Sequence, residues 1–140
     1  MAIDPQRDLA DRTFKFACAI VRFCTNLSAQ GGVASRIAWQ LVDAGTSIAA
    51  NYEEAIAAYS RRDFMAKTSI ILKEARESRL SLRVIAANDL ARPEELDALL
   101  KESNELVAIF TASMKTLRAK NTANAVVVLI AGVALAWYLF

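Results

Sequence analysis

The sequence predicts an all-α protein, and three observations carry this prediction. Glycine and proline, the residues that favour turns, number only four and two among 140 residues. Alanine, leucine, arginine, lysine and glutamate, which favour helices, are abundant. Apolar residues recur at intervals of three and four over four long segments, as on one face of a helix. Because the breaks between these segments are short, consecutive helices are expected to run antiparallel, as an up-down-up-down four-helix bundle.

The first two helices are bounded by proline and glycine. Asp4-Pro5 is a favourable N-cap followed by proline at the first helical position, which predicts a helix over about residues 6–29. Gly31-Gly32 ends this helix, and a second is predicted over about residues 33–58. The predicted inward stripes are Leu9, Phe16, Ile20, Phe23 and Leu27 in the first helix and Ile37, Leu41, Ala44, Ile48 and Tyr52 in the second.

Capping signals also mark the third and fourth helices. Ser60 followed by Asp63 resembles a capping arrangement that begins the third helix, and Arg92-Pro93 begins the fourth. No breaker separates Lys120 from the residues that follow, so the fourth helix is predicted to extend into a hydrophobic C-terminal helix. The predicted organisation is therefore a bundle domain over residues 1–120 and a hydrophobic helix over 121–140. The predicted inward stripes are Phe64, Ile71, Leu82 and Ile85, then Leu96, Leu99, Leu106, Phe110, Met114 and Leu117.

The last twenty residues carry no charge, whereas every charged side chain lies in residues 1–120. Basic residues precede this segment, and Trp137 and Tyr138 lie near its far end, which is typical of a membrane-spanning helix. The N-terminus is charged and unlike a signal peptide. Together these features predict an anchor in the inner membrane, with the lipid bilayer as partner and the bundle domain on the cytoplasmic side. The alternative is a plug inside an oligomer. The predicted anchor residues are Ala125, Val128, Ile130, Gly132, Ala136, Trp137, Tyr138 and Phe140.

The chain contains no histidine, which removes most zinc sites and histidine-based catalysis. Cys18 and Cys24 are six residues apart, a spacing that places them on different sides of a helix and fits no metal site. No nucleophile–base pair or phosphate-binding loop is present. The sequence therefore predicts a protein that is not an enzyme and that has no cofactor or metal.

Polar residues interrupt the apolar periodicity of the second and third helices. Gln40, Ser47 and Glu54 are seven residues apart, as are Lys67 and Glu74. Such groups are costly to bury unpaired, so they are expected to meet one another, water or a neighbouring subunit. The sequence predicts a cyclic homo-oligomer in which the second and third helices supply much of the contact; the alternative is a polar surface alone. The predicted interface residues are Trp39, Gln40, Ser47, Asn51, Glu54, Lys67 and Glu74.

The middle of the chain resembles a known family. Its features are Gln40-Leu41, Ser47-Ile48 before Asn51, Glu54, Ser60 with Asp63-Phe64, Lys73-Glu74 and Glu77-Ser78. With these features, residues 40–82 are similar to the signature of the four-helix-bundle proteins encoded by intervening sequences in bacterial large-subunit ribosomal RNA genes, and to the accessory protein of diversity-generating retroelements. The resemblance covers roughly residues 8–118 and leaves the hydrophobic tail outside.

This resemblance implies a homopentameric barrel and, by way of the retroelement protein, RNA or DNA and a reverse transcriptase as partners. Arginines at intervals of three and four on the third helix share one face, which five copies would repeat around a ring. Two functional hypotheses follow: a membrane-anchored scaffold or pore-forming effector, and a nucleic-acid-binding accessory protein. The predicted polyanion-binding residues are Arg36, Arg61, Arg62, Arg76, Arg79 and Arg83.

Overall fold

The computed structural model of the protein describes the backbone of residues 5–139 and the side chains of residue 6 and residues 8–127. Its elements are four helices, α1 (Pro5–Ser28), α2 (Gly32–Ile56), α3 (Arg61–Ala87) and α4 (Pro93–Leu139). No strand occurs among these residues. The all-α prediction is confirmed, and the predicted boundaries of the first three helices agree with the structure to within about two residues.

The four helices surround one apolar core. α2 packs side by side against α1 and α3, and α4 packs against α3 and α1. Tyr52 of α2 and Phe110 of α4 meet across the centre with their ring centroids 6.0 Å apart, edge to face. The predicted inward stripes supply the core, whose fully buried members include Ile20, Leu41, Ile48, Ile71, Leu82 and Leu106.

The helix ends follow from local chemistry. Where the chain turns from α1 into α2, Gly31 and Gly32 have φ angles of 73° and 55°, a left-handed conformation that glycine adopts without steric cost. The Ser60 hydroxyl accepts a hydrogen bond of 3.0 Å from the backbone N–H of Asp63, which confirms the predicted cap of α3. Asp89, with φ 52°, turns the chain between α3 and α4. The predicted N-cap Asp4 lies outside the described residues.

Gly45 lets α1 and α2 approach closely. It is buried, and a Cβ atom at this position would lie 3.0 Å from Cγ2 and 3.2 Å from Cβ of Ile20. Because Ile20 is branched at Cβ and fully buried, its side chain has little freedom to move away. The absence of a side chain at position 45 therefore sets the spacing of these two helices.

The described residues contain no helix that is long and apolar enough to cross a membrane. The described part of α4 carries Lys115, Arg118 and Lys120, and charged side chains are costly within a membrane-spanning helix. The predictions of a membrane anchor, a pore-forming effector and an inner-membrane location are therefore wrong. Of the predicted anchor residues, Ala125 is exposed, and Val128, Ile130, Gly132, Ala136, Trp137, Tyr138 and Phe140 lie outside the described side chains.

Candidate interaction surfaces

The polar residues predicted from the sequence gather where α2 and α3 lie side by side. Here the two helices form an open groove of about 520 Å³. Glu74, whose side chain is only 15% exposed, is bridged by Lys73 with an Nζ–Oε1 distance of 3.3 Å, and Lys73 also lies 3.4 Å from Oε1 of Glu77. We call this the acidic groove; its lining residues are Gln40, Asp43, Ala44, Ser47, Glu74, Glu77, Leu80 and Ser81.

Further along the same junction, the remaining polar residues are satisfied within one chain. Lys67 of α3 forms a salt bridge with Glu54 of α2, and this hydrogen bond raises the pKa of Lys67. The Asn51 side chain donates to the backbone carbonyl of Ser47 at 2.9 Å. Charged and amide groups on α2 and α3 therefore already have partners here, and the predicted role of these residues between subunits stays a prediction.

Trp39 is separated from the other predicted interface residues. It lies on the α1 side of α2, where Trp39 and Val42 line a groove of about 270 Å³ with Val21 and Cys24 of α1. Phe14 is 62% exposed and Trp39 64% exposed on this side. Phe14 and Cys18 share a face of α1 with Val21 by their spacing of three and four residues, as Ser35, Thr46 and Ala49 share a face of α2 with Trp39 and Val42. We call this the uncharged surface, because none of its residues is charged: Phe14, Cys18, Val21, Thr25 and Ser28 of α1 and Ser35, Trp39, Val42, Thr46 and Ala49 of α2.

Three of the predicted polyanion-binding arginines form a strip on one side of α3. Arg76, Arg79 and Arg83 are spaced by three and four residues, so their side chains leave the helix in similar directions. Among the described residues, no carboxylate forms a salt bridge with any of them. We call this group the arginine strip. Its charge is therefore not neutralised by an ion pair within the described part of the chain.

The structure does not bring the other predicted arginines to this strip. Arg61 and Arg62 begin α3, and Arg62 lies about 20 Å along the helix from Arg76. Arg61 donates to the backbone carbonyl of Leu117 at 3.2 Å, so its guanidinium is partly engaged by α4. Arg36 is exposed on α2.

Comparison with known proteins identifies the family. Residues 6–112 match the 23S rRNA-intervening sequence protein family. The chain belongs to this family. A similar solved structure is that of a protein with unknown function from the S23 ribosomal protein family, from Bacteroides thetaiotaomicron VPI-5482. It shares 29% sequence identity with a TM-score of 0.71, and the match covers 79% of this chain and 97% of that one. Among curated proteins, none matches.

The resemblance to the intervening-sequence proteins is therefore confirmed. The acidic groove, the uncharged surface and the arginine strip all lie within residues 6–112, the part that the family shares. The apolar C-terminal segment lies beyond it. These three surfaces are therefore features of the helical domain of this family member and do not depend on its tail.

The described residues offer no candidate metal site. They contain no group of three or more histidine, cysteine, aspartate or glutamate residues that could hold a metal ion. Cys24 is buried, and burial raises its pKa to about 12, which makes its thiol a poor nucleophile at neutral pH. Cys18 is half-buried on the uncharged surface.

One polar cluster was not predicted from the sequence. Arg12 of α1 binds Glu102 of α4 in a bidentate manner, with Nε–Oε1 and Nη2–Oε2 distances of 3.0 and 2.9 Å. Nη2 also donates to Glu105 at 2.6 Å. The hydrogen bond to Glu102 is the main cause that raises the pKa of Arg12. Since these residues are about ninety positions apart, no local pattern connects them, and the cluster joins α1 to α4 and does not form a site.

Proposed function

We propose that this family member is a non-enzymatic, homo-oligomeric helical protein that binds nucleic acid through the arginine strip. The protomer is an up-down-up-down bundle whose fourth helix extends into the hydrophobic C-terminal segment. The observation that carries the proposal is the set of three arginines on one side of α3 without a salt-bridge partner in the described part of the chain. Other cations also lack a salt bridge within the described residues, among them Arg22, Arg36 and Arg62, but these three lie on three different helices.

The chemistry of the strip suits phosphates. A guanidinium presents a planar set of donors that matches two phosphate oxygens, and it stays charged at any physiological pH. Arg76 and Arg83 are two helical turns apart, about 10 Å along the axis, so they can contact separate phosphates. Each neutralised phosphate releases counterions, which makes binding favourable at low salt and steeply salt-dependent.

Assembly multiplies this effect. A single strip of three cations binds weakly, whereas several strips on one particle act together on one nucleic acid. The five-fold state implied by the family resemblance is part of the proposal, as is a partner enzyme that acts on the bound nucleic acid. The short connections between helices and their side-by-side packing support the antiparallel order of the protomer.

Salt-dependent binding tests the proposal. Fluorescence anisotropy would measure the affinity of the full chain for a labelled DNA duplex and for a structured RNA at 50 and 200 mM salt. If one strip contacts three phosphates, affinity for the duplex should fall by about 40-fold over this range, and each further strip of the oligomer that contacts the same duplex should steepen the fall. Arg76→Gln with Arg83→Gln should weaken binding at 50 mM salt and flatten the salt dependence, since each lost contact lowers the log–log slope by about 0.9.

Arg22→Gln is the matched control, because Arg22 is an exposed arginine on α1 away from the strip. It should leave the affinity and the salt slope unchanged. Absence of binding at 50 mM salt would contradict the proposal. So would a double variant at positions 76 and 83 that binds as tightly as the wild-type chain.

A further inference from the structure

The arginine strip shares its side of α3 with exposed aliphatic residues. Leu80 is 58% exposed and Val84 is 37% exposed. Leu80 lies four residues after Arg76 and three before Arg83, and Val84 lies four residues after Leu80, so these side chains leave the helix on one side. A contact with phosphates alone uses the arginines and leaves the aliphatic side chains in water. The ligand of this surface should therefore carry apolar groups as well as negative charge.

The aliphatic residues border a shallow hollow of about 580 Å³ between α3 and α4. Leu100 lines it from α4 and also packs against the apolar core, which fixes its position. At the end of α3 the Asn88 amide borders the hollow, and it donates a hydrogen bond of 2.9 Å to the backbone carbonyl of Val84. We call the space bounded by Leu80, Arg83, Val84, Asn88 and Leu100 the α3–α4 hollow.

The charges around this hollow favour an anion on one side of it. Arg83 is the charged residue among those that line it, and no carboxylate lines it. Leu80 stands between the hollow and the acidic groove, where Glu77 is paired with Lys73 at 3.4 Å. A polyanion is repelled by the acidic groove and attracted by the arginines, so it should lie along the strip with the hollow beside it.

Single-stranded nucleic acid combines the required groups. In a duplex the flat faces of the bases are stacked on one another, so they cannot cover aliphatic side chains. In a single strand the bases can unstack and place their faces against the protein while the phosphates meet cations. A guanidinium can also lie flat against a base, so Arg83 fits either role.

We propose that the arginine strip binds single-stranded nucleic acid, with the α3–α4 hollow covering a base of the strand. This inference rests on the proposed function and names the form of nucleic acid that it binds. Arg76 and Arg83 hold phosphates, and Leu80 and Val84 bury the face of the base. The Asn88 amide offers both a donor and an acceptor, the groups that meet the edge of a base.

Four probes with equal numbers of phosphates test the proposal on the wild-type full chain. They are oligothymidylate, oligouridylate, an abasic DNA strand and a blunt DNA duplex, and fluorescence anisotropy measures each affinity at 50 mM salt. The abasic strand has the same phosphates as oligothymidylate but no bases. Base-bearing strands should bind about 5-fold more tightly than the abasic strand, the gain from one contact at the weak end of the range for bases on proteins. The tighter of the two shows which strand chemistry the site prefers, and either order supports the proposal.

A double variant tests the position of the base. Leu80→Ala with Val84→Ala removes most of the aliphatic surface and should abolish the difference between oligothymidylate and the abasic strand. Alanine is the strongest helix former, and both side chains are exposed, so circular dichroism should show unchanged helical content. Ile70→Ala is the matched control, because Ile70 is 40% exposed on the same helix and lies about 15 Å along it from Leu80. It should keep the wild-type difference.

The outcomes separate this inference from the proposed function. Absence of binding to all four probes would contradict the proposed function itself. Salt-dependent binding with equal affinity for base-bearing and abasic strands would overturn only the role of the α3–α4 hollow, and so would a double alanine variant that still prefers bases. Arg76→Gln with Arg83→Gln should weaken the binding of every probe, whereas the loss in the double alanine variant should be confined to the strands with accessible bases.

Discussion

The two sides of α2 contact their neighbouring helices in different ways. Towards α1, Gly45 permits close contact with Ile20, and the surface beside this contact is uncharged. Towards α3, the junction opens into the acidic groove and is joined by the Glu54–Lys67 pair. α2 therefore contacts α1 mainly through close packing, whereas it contacts α3 through packing together with an ion pair.

This difference shows how sharply surface chemistry changes around one helix. Trp39 and Gln40 are adjacent in the chain, yet Trp39 lines the groove shared with α1 and Gln40 lines the groove shared with α3. Consecutive helical residues point about 100° apart, so neighbours in sequence can belong to separate surfaces. The interface predicted from the sequence, which included both Trp39 and Gln40, therefore combined residues of two separate surfaces.

The largest effect is expected from filling the space at Gly45. Gly45→Val should lower the free energy of unfolding by about 1–3 kcal/mol, because the new side chain overlaps Ile20 in a close-packed contact. Urea unfolding followed by circular dichroism measures the change. Ala50→Val is the control, since Ala50 is exposed on the same helix, and its cost should stay below about 0.7 kcal/mol. Equal losses for the two variants would show that close contact with α1 does not set the spacing.

A smaller change in the free energy of unfolding, of opposite sign, is expected from a substitution of Ser78 on α3. Ser78 is fully buried, and its hydroxyl has no hydrogen-bond partner in the described part of the chain. Ser78→Ala removes this unsatisfied group and should raise the free energy of unfolding by up to about 1 kcal/mol. Ser103→Ala is the control: Ser103 is equally buried, but its hydroxyl donates to the carbonyl of Leu100 at 2.8 Å. A gain for Ser103→Ala as large as that for Ser78→Ala would contradict this reasoning.

The smallest effect is expected at the exposed pair that spans α2 and α3. The hydrogen bond to Glu54 raises the pKa of Lys67 above its ordinary value of 10.5. A raised pKa in the folded state means that the pair contributes stability below pH 10.5, and that this contribution is lost as the pH rises through the folded-state pKa. Urea unfolding should therefore show a steeper loss of stability above pH 10.5 in the wild type than in Glu54→Gln.

The control for this experiment is Glu53→Gln, because Glu53 is the exposed neighbour of Glu54 and forms no salt bridge within the described residues. It should retain the wild-type pH dependence. High salt should reduce the difference between wild type and Glu54→Gln, since exposed ion pairs are screened. The same pH profile for all three proteins would mean that the pair adds nothing to the α2–α3 junction.

Much of the fold was predictable because its signals are local. The glycine pair at 31–32 and the Ser60 cap act within a few residues of themselves, and the apolar stripes repeat with the helical period, so helix ends and core followed from the sequence. The contact of Gly45 with Ile20 and the binding of Arg12 to Glu102 depend on which helices become neighbours. No spacing within one helix contains that information.

The candidate surfaces were predicted only in part. The arginine strip was found because a spacing of three and four residues is readable within one helix. The uncharged surface was missed because it combines residues of α1 and α2, and only the packing shows that they adjoin. The membrane prediction failed because it relied on the apolar composition of the tail, whereas the described part of α4 stays charged up to Lys120.

The cluster of Arg12 with Glu102 and Glu105 has a consequence for the order in which the chain folds and unfolds. The contacts between successive helices join nearby parts of the chain, whereas this cluster joins the first helix to the last across about ninety residues. Closing so long a loop is entropically costly, so the α1–α4 edge should form late in folding, after the successive helix pairs. We also expect the α1–α4 edge, where the two helices share little contact, to open before the α1–α2 and α2–α3 junctions do.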